Sequence, residues 1–89
     1  MKAYLSKNIT SNTTTTVCGT GGVLHYIVIN KTASGTIIFN DGTGGTTLGT
    51  LKASVVEQTY KYHIAFSNNL SIITAASPDI TIVYSVSGS

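Results

Sequence analysis

Apolar and polar residues alternate along most of this chain, and the alternation has a period of two. In the stretch YKYHIAF, for example, Tyr60, Tyr62 and Ile64 fall on one side while Lys61 and His63 fall on the other. The stretches GTIIFND, LSIITA and DITIVYSV follow the same rule, and Thr, Val, Ile and Tyr dominate them. This period is typical of half-buried β-strands, and no window combines helical spacing with helix-forming residues. The pattern therefore predicts an all-β protein.

Segments rich in Gly, Asn, Asp and Ser separate the alternating stretches, and they recur at intervals of about 8–12 residues. The strands predicted between these breaks are about eight in number and are centred near Tyr4, Thr15, Val28, Ile38, Leu48, Tyr62, Ile72 and Ile82. Short strands at this spacing favour a single compact antiparallel β-sandwich, jelly-roll-like in its arrangement. The predicted organisation is an N-terminal segment at 1–12, a sandwich domain at 13–86 and a flexible tail at 87–89. The N-terminal segment is interpreted as a short anchoring arm or an edge strand.

Two of the breaks predict hairpins. The segment NKTASG follows the strand near Val28 and is expected to join it to the strand near Ile38 as a hairpin. The segment NDGTGG contains Asp41 followed by Gly42, a pair that favours a tight turn with positive φ. The strands on either side of each segment are therefore predicted to be hydrogen bonded to each other.

The strand VLHYIVIN differs from the others because both of its faces are mostly apolar. One face contains Val23 and Ile27, and strict alternation places Leu24, Tyr26 and Val28 on the other. A strand in a two-layer sandwich needs only one buried face, so either another part of the chain or another subunit covers the second one. Since so short a chain has little left to form a third layer, we interpret Leu24, Tyr26 and Val28 as a candidate self-association face.

Charge is scarce in this sequence. Charged residues make up 9% of the 89 residues, whereas about 25% is usual in globular proteins. The five basic residues are all lysines, scattered along the chain, and they form no stripe with interleaved aromatic residues, so nucleic acid is not a predicted partner. No apolar run reaches the roughly 18 residues of a membrane span, and the N-terminus lacks the apolar region of a signal peptide. A non-secreted protein with no membrane partner is predicted.

The side chains that could support chemistry are few. The single cysteine, Cys18, is predicted to be a buried thiol. Because the chain also contains His25 and His63, a nucleophilic cysteine paired with a histidine remains an alternative. His25 is expected to be half-buried and His63 to be solvated on the polar face of its strand. A phosphate-binding loop is not predicted, because Thr50 follows Gly49 where that motif requires a lysine. The sequence therefore predicts no catalytic residue, no metal ligand and no cofactor.

The tyrosines leave a second class of function open. Tyr60, Tyr62 and Tyr84 alternate in phase with Ile and Phe, and they are therefore predicted to belong to the core. Tyr4 and Tyr26 are the tyrosines left free to stack on a sugar ring. Glycan binding by these two residues remains an alternative to a purely structural role.

Several of the segments described above also occur together, in the same order, in a known group of proteins. The segments that match are Gly22 to His25, Ser34 to Asp41, Leu48 to Leu51, Phe66 to Leu70 and Asp79 to Tyr84. In this order they resemble the small β-sandwich virion proteins of tailed bacteriophages, namely the head decoration (cement) and head-fibre proteins. The resemblance extends from about Thr13 to Ser85 and rests on turns and core faces.

The resemblance implies a jelly-roll-like structural protein without enzymatic activity, bound to the outer surface of a capsid. Its implied partners are the major capsid protein lattice and its own copies, often as a homotrimer. Its implied location is the virion, after synthesis in the host cytoplasm. The segment MKAYLSKNITSN would contact the capsid through Lys2, Tyr4 and Lys7. Because no long arm or receptor-binding domain is recognisable, decoration is favoured, and a carbohydrate- or receptor-binding module of a phage fibre is the alternative.

Overall fold

The computed structural model describes residues 4–42 and 45–86, and regular structure in this part of the chain is entirely β-strand. The strands are β1 (Leu5–Ile9), β2 (Thr14–Cys18), β3 (Gly22–Lys31), β4 (Ile37–Asp41), β5 (Thr46–Leu51), β6 (Thr59–Phe66), β7 (Leu70–Thr74) and β8 (Asp79–Val86). Each predicted strand is present, and the all-β prediction is confirmed. Lys2 and the predicted tail at 87–89 lie outside the described residues.

The strands form two antiparallel four-stranded sheets. The first sheet has the order β1-β8-β3-β6, and the second has the order β2-β7-β4-β5. Strand β1 pairs with β8, β2 with β7, β3 with β6, and β4 with β5, which is the pattern of one long hairpin rolled up on itself. This pattern gives the eight-stranded jelly roll, so the predicted antiparallel sandwich is confirmed.

The two predicted hairpins have different outcomes. The Asp41–Gly42 turn joins β4 to β5, and Gly42 has a φ of +92°, as the turn chemistry predicts. The other prediction is wrong, because β3 belongs to the first sheet and β4 to the second. The segment after Lys31 crosses between the two layers instead of turning back beside β3.

The N-terminal segment contributes a strand to the sandwich. Residues Leu5–Ile9 form β1, an edge strand that pairs with β8 from Leu5 opposite Tyr84 to Ile9 opposite Ile80. Of the two interpretations given to residues 1–12, the edge strand therefore describes residues 5–9. The sandwich begins at Leu5, before the boundary at residue 13 that the sequence predicts.

The core lies between the sheets and is made of the inward faces of their strands. Its fully buried side chains include Phe39 on β4, whose ring meets that of Tyr62 on β6 edge to face with centroids 4.7 Å apart. Tyr60, Tyr62 and Tyr84 are partly buried and pack against this core, as their alternation predicts. Burial of these aromatic and branched side chains is the main source of stability in a fold of this size.

Strand β3 contains a bulge that changes which of its residues face the core. The register with β6 and with β8 shifts between Leu24 and Tyr26, so that His25 is an extra residue relative to β8. Leu24 and Ile27 are both 0% exposed although they lie three positions apart, a spacing that strict alternation forbids. The predicted face of Leu24, Tyr26 and Val28 is therefore corrected, since Leu24 belongs to the core.

Candidate functional site

The side of the first sheet that points away from the second sheet contains the candidate site, and we call it the outer face. Residues directly opposite each other on neighbouring strands point to the same side of a sheet, so the pairings define its rows. The two central rows are Ser6–Val83–Tyr26–Lys61 and Asn8–Thr81–Val28–Thr59. The middle of the first row, Val83 and Tyr26, is apolar or aromatic, while Val28 in the second row lies beside the polar Thr81. The ends of both rows on β1 and β6 are polar.

Four rings gather at one end of the outer face, and we call them the ring cluster: Tyr4, His25, Tyr26 and His63. Tyr4 stacks on His25 with centroids 4.2 Å apart and planes at 15°. His63 lies edge-on to His25 at 5.1 Å and to Tyr26 at 5.4 Å. Tyr4 is 56% exposed, so this cluster is accessible from solvent.

The backbone brings the two imidazoles together at the bulge in β3. His25 is the bulged residue, and the opposing stretch of β6 contains His63 with a φ of +55°, in the left-handed region. Histidine is among the residues that adopt this region more readily than most. As a result, Nδ1 of His25 lies 3.0 Å from Nδ1 of His63. The Nε2 atom of His25 is held in turn by the hydroxyl of Ser85, at 2.9 Å.

The electrostatics of the ring cluster favour a neutral His25. The pKa of His25 is lowered, first because partial burial disfavours the charged ring and second because His63 would place a like charge beside it. When both rings are neutral, a contact between two Nδ1 atoms requires one shared proton, donated by one ring and accepted by the other. In that state the pair is a single hydrogen bond with no net charge.

A polar network occupies the other end of the outer face. The carboxylate of Asp79 accepts from the side-chain amides of Asn8, at 2.8 Å, and Asn30, at 3.3 Å. The amide of Asn30 also donates to the hydroxyl of Thr81, at 3.0 Å. These bonds join β1, β3 and β8 side by side, so the outer face is a preorganised surface rather than a set of loops.

The structure places three of the predicted contact residues on the outer face, and it places Leu24 and Lys7 elsewhere. Tyr4, predicted in the capsid-contact segment, shares the outer face with Tyr26 and Val28, which are half-buried there. Lys7 is exposed but lies opposite Ile82, an inward residue, so it is on the other side of β1 from Tyr4. Two surfaces predicted separately from the sequence thus form one continuous surface through Tyr4 and Tyr26.

Sequence reasoning missed the pairing of His25 with His63. It treated His25 as half-buried and His63 as solvated, which describes each ring but not their contact. The two residues are separated by 38 positions, and the bulge that aligns them follows from no glycine or proline in VLHYIVIN. The one available signal was that both histidines of the chain occur in strands.

The remaining ionisable candidates lie elsewhere and have structural roles. Cys18 is buried on β2 in the second sheet, with its thiol directed at the carbonyl of Thr20 at 3.3 Å, whereas both histidines belong to the first sheet. Asp41 accepts from the backbone N–H groups of Ser67 and Asn68, both at 2.9 Å. These bonds hold the pKa of Asp41 below its ordinary value, because they stabilise its charged form.

Within residues 4–42 and 45–86 no concave pocket is present, and no three metal-ligating side chains of the His, Cys, Asp or Glu type converge. The same residues include no helix that is long and apolar enough to cross a membrane. Comparison with family models, curated proteins and solved structures yields no match to this chain. The outer face is therefore the candidate functional surface of the described residues.

Proposed function

We propose that this protein is a non-enzymatic structural protein of a phage virion. It would decorate and stabilise the capsid by binding the outer surface of the shell and its own copies. The observation that supports this most is the outer face, where Tyr26, Val28 and Val83 form an apolar centre beside the exposed ring of Tyr4. This surface is built on paired strands, so little conformational entropy is lost when a partner covers it.

The distribution of side chains on the outer face matches that of protein–protein interfaces. Such interfaces have an apolar centre enriched in tyrosine and depleted of charge, surrounded by a polar rim. Here Ser6 and Asn8 on β1 and Thr59 and Lys61 on β6 supply the rim. Burying the centre would contribute about 25 cal/mol per Å² of apolar area, offset by the cost of association.

Many copies bound at equivalent capsid sites would stabilise the shell even if each single contact is weak. A lattice offers many equivalent sites, and linked contacts reinforce one another without any new interaction. A surface that is low in charge suits this arrangement, because few ionic groups must be desolvated when copies pack. The jelly-roll sandwich is also the fold that the resemblance to phage decoration proteins implies.

One observation favours a second candidate, a carbohydrate- or receptor-binding module of a phage fibre. Tyr4 is exposed and lies flat on His25, next to Tyr26, and flat aromatic surfaces of this kind can stack on sugar rings. The hydrogen-bonding groups of Asn8 and Asn30 lie at the other end of the same face, but Asp79 already engages both amides.

Binding to shells tests the first proposal. The genes on either side of the coding sequence identify the major capsid protein, whose empty shells are then mixed with the purified protein and sedimented. We expect saturable co-sedimentation, and we expect Tyr26→Glu to weaken it by about 2 kcal/mol or more, or roughly 30-fold, because a charge would enter the apolar centre. The matched control Thr47→Glu, at an exposed site on the second sheet, should bind as the wild type does.

Two outcomes would contradict decoration. One is a gene neighbourhood without a capsid protein, and the other is a wild-type protein that stays in the supernatant with shells in excess. Retention on a glycan array that is lost in Tyr4→Ala would then support the fibre module instead.

A further inference from the structure

We propose that His25 and His63 form a binding site for a divalent transition-metal ion, with Nδ1 of each ring as ligand and with Cu²⁺ and Ni²⁺ bound more tightly than Zn²⁺. This inference is independent of the proposed virion role. It rests on the distance between the two nitrogens, on the hydrogen bond behind one of them, and on the backbone that positions both.

The separation of the two nitrogens is suitable for one ion. With metal–nitrogen bonds of about 2.0–2.1 Å, two ligands at a right angle are about 2.9 Å apart, and two tetrahedral ligands are about 3.3 Å apart. The observed separation between Nδ1 of His25 and Nδ1 of His63 is 3.0 Å. It therefore lies close to the spacing that two adjacent ligands of one ion require, and the preference for Cu²⁺ and Ni²⁺ follows from the general affinity order of imidazole sites.

The proton between the rings can be moved without leaving either ring charged. In the neutral pair one Nδ1 donates and the other accepts, and a bound ion replaces that shared proton. The proton moves to Nε2 of the same ring, so each imidazole stays neutral and directs the Nδ1 lone pair at the ion. For His25, the Nε2–H group then donates to Oγ of Ser85, a hydroxyl that can either donate or accept.

Ser85 has the role that outer partners have in known metal sites. Metal-ligating histidines almost always use their second nitrogen to bond a neighbouring group, which fixes the ring and the tautomer. Ser85 is 3% exposed and lies 2.9 Å from Nε2, so it holds His25 before any ion arrives. The stacked ring of Tyr4 supports His25 from one face, and the ring of Tyr26 lies against His63.

Two irregularities of the backbone coincide at this pair. The bulge in β3 places His25 out of the regular alternation, and His63 has the left-handed φ of +55° directly across on β6. Bulges often redirect a side chain next to a functional site, and unusual φ values concentrate at such sites. A second register shift in β3, between Ile29 and Lys31, has no positive φ opposite it on β8, so the two irregularities coincide at His25 and His63.

The test is a calorimetric titration of the untagged full chain with Cu²⁺, Ni²⁺ and Zn²⁺ salts separately, together with amide NMR spectra. We expect one ion per chain, with affinity in the order Cu²⁺, Ni²⁺, Zn²⁺, and line broadening by Cu²⁺ centred on residues near His25 and His63. His25→Gln and His63→Asn should each weaken binding by about tenfold or more. Asparagine is chosen for position 63 because it tolerates positive φ.

The controls separate this site from adventitious binding. Lys61→Gln changes the same face without removing a ligand and should bind as the wild type does, whereas Ser85→Ala should bind more weakly although both ligands remain. The amide spectrum shows whether each variant is folded. If His25→Gln and His63→Asn do not fold, the wild-type amide signals that Cu²⁺ broadens show by themselves whether the ion binds at His25 and His63. Absence of binding at millimolar ion, or broadening centred elsewhere, overturns the proposal, and so does unchanged affinity in a folded His25→Gln or His63→Asn variant.

Discussion

The contact between Phe39 and Gly49 offers a sharp test of how tightly the sandwich is packed. The two residues are opposite each other on β4 and β5, and the ring of Phe39 lies directly over the glycine. A Cβ atom at position 49 would be 2.6 Å from Cε2 and 2.7 Å from Cζ of that ring, distances that real Cβ atoms do not reach. Gly49→Ala must therefore displace Phe39. The ring cannot move freely, because it is 0% exposed and packs on Tyr62 from β6.

The size of the effect follows from two opposing contributions. Overpacking of a filled core lowers the free energy of unfolding by about 1–3 kcal/mol. Replacing glycine also reduces the conformational freedom of the unfolded chain, which raises the free energy of unfolding by about 0.4–1 kcal/mol. We expect a net loss of about 1–2 kcal/mol in the free energy of unfolding, since the displaced ring has no empty space to enter. For a domain of this size, that loss lowers the Tm by about 4–16 °C.

Thermal and urea unfolding measure this loss, and two further variants identify its cause. Gly19→Ala is the matched control, because a Cβ at Gly19 has no atom within 4 Å, and it should be neutral or slightly stabilising. In a Phe39→Leu background the ring is gone, so Gly49→Ala should cost less there, with a coupling of about 0.5–3 kcal/mol. Equal costs in the two backgrounds, or a wild-type Tm for Gly49→Ala, would refute the packing argument.

Three other predictions follow from the outer face and the loops. If the outer face joins copies of the chain, Tyr26→Glu should give a folded monomer, as measured by size-exclusion chromatography with light scattering. Thr47→Glu should keep the wild-type mass. Misfolding of Tyr26→Glu alone would contradict this prediction. Because the folded pKa of Asp41 is lowered, its contribution to stability is present above the unfolded pKa of about 3.9 and is lost as pH falls through the folded value. Asp41→Asn should therefore be less stable than wild type at pH 7, and a difference in Tm that persists unchanged down to pH 2 would count against this cause. Asn8→Ala removes the bond to Asp79 and should lower the free energy of unfolding by about 0.5–1.5 kcal/mol. Relative to wild type, amide exchange should accelerate more in β1 than in β7. An equal change in the two strands would argue that backbone pairing alone holds β1.

The strand content was predictable because it depends on local chemistry. Alternation in YKYHIAF and DITIVYSV predicted β6 and β8, and the structure confirms that Tyr60, Tyr62 and Tyr84 pack on the core. The turn at Gly42 was predictable for a similar reason, since its positive φ is a property of one dipeptide. In each case the cause lies within a few residues of its effect.

The candidate site was predictable only in part. Tyr4, Tyr26 and Val28 were identified as surface residues, but nothing in the sequence placed Tyr4 on His25 or His25 beside His63. Those contacts depend on β1 and β6 lying on the two sides of the β8–β3 pair. Such pairings join residues that are tens of positions apart, and no local propensity encodes them.

The sequence by itself determined the element type, the approximate strand positions and the tight turn, because a period of two and turn residues act over short distances. Only the tertiary structure decided which sheet each strand joins and where alternation breaks. After Lys31 the chain could turn back or cross to the second layer, and pairing of β3 with β6 and β8 selected the crossing. At His25, burial of both Leu24 and Ile27 required an extra residue in β3 relative to β8. The bulge that created the His25–His63 pair is thus a consequence of long-range packing.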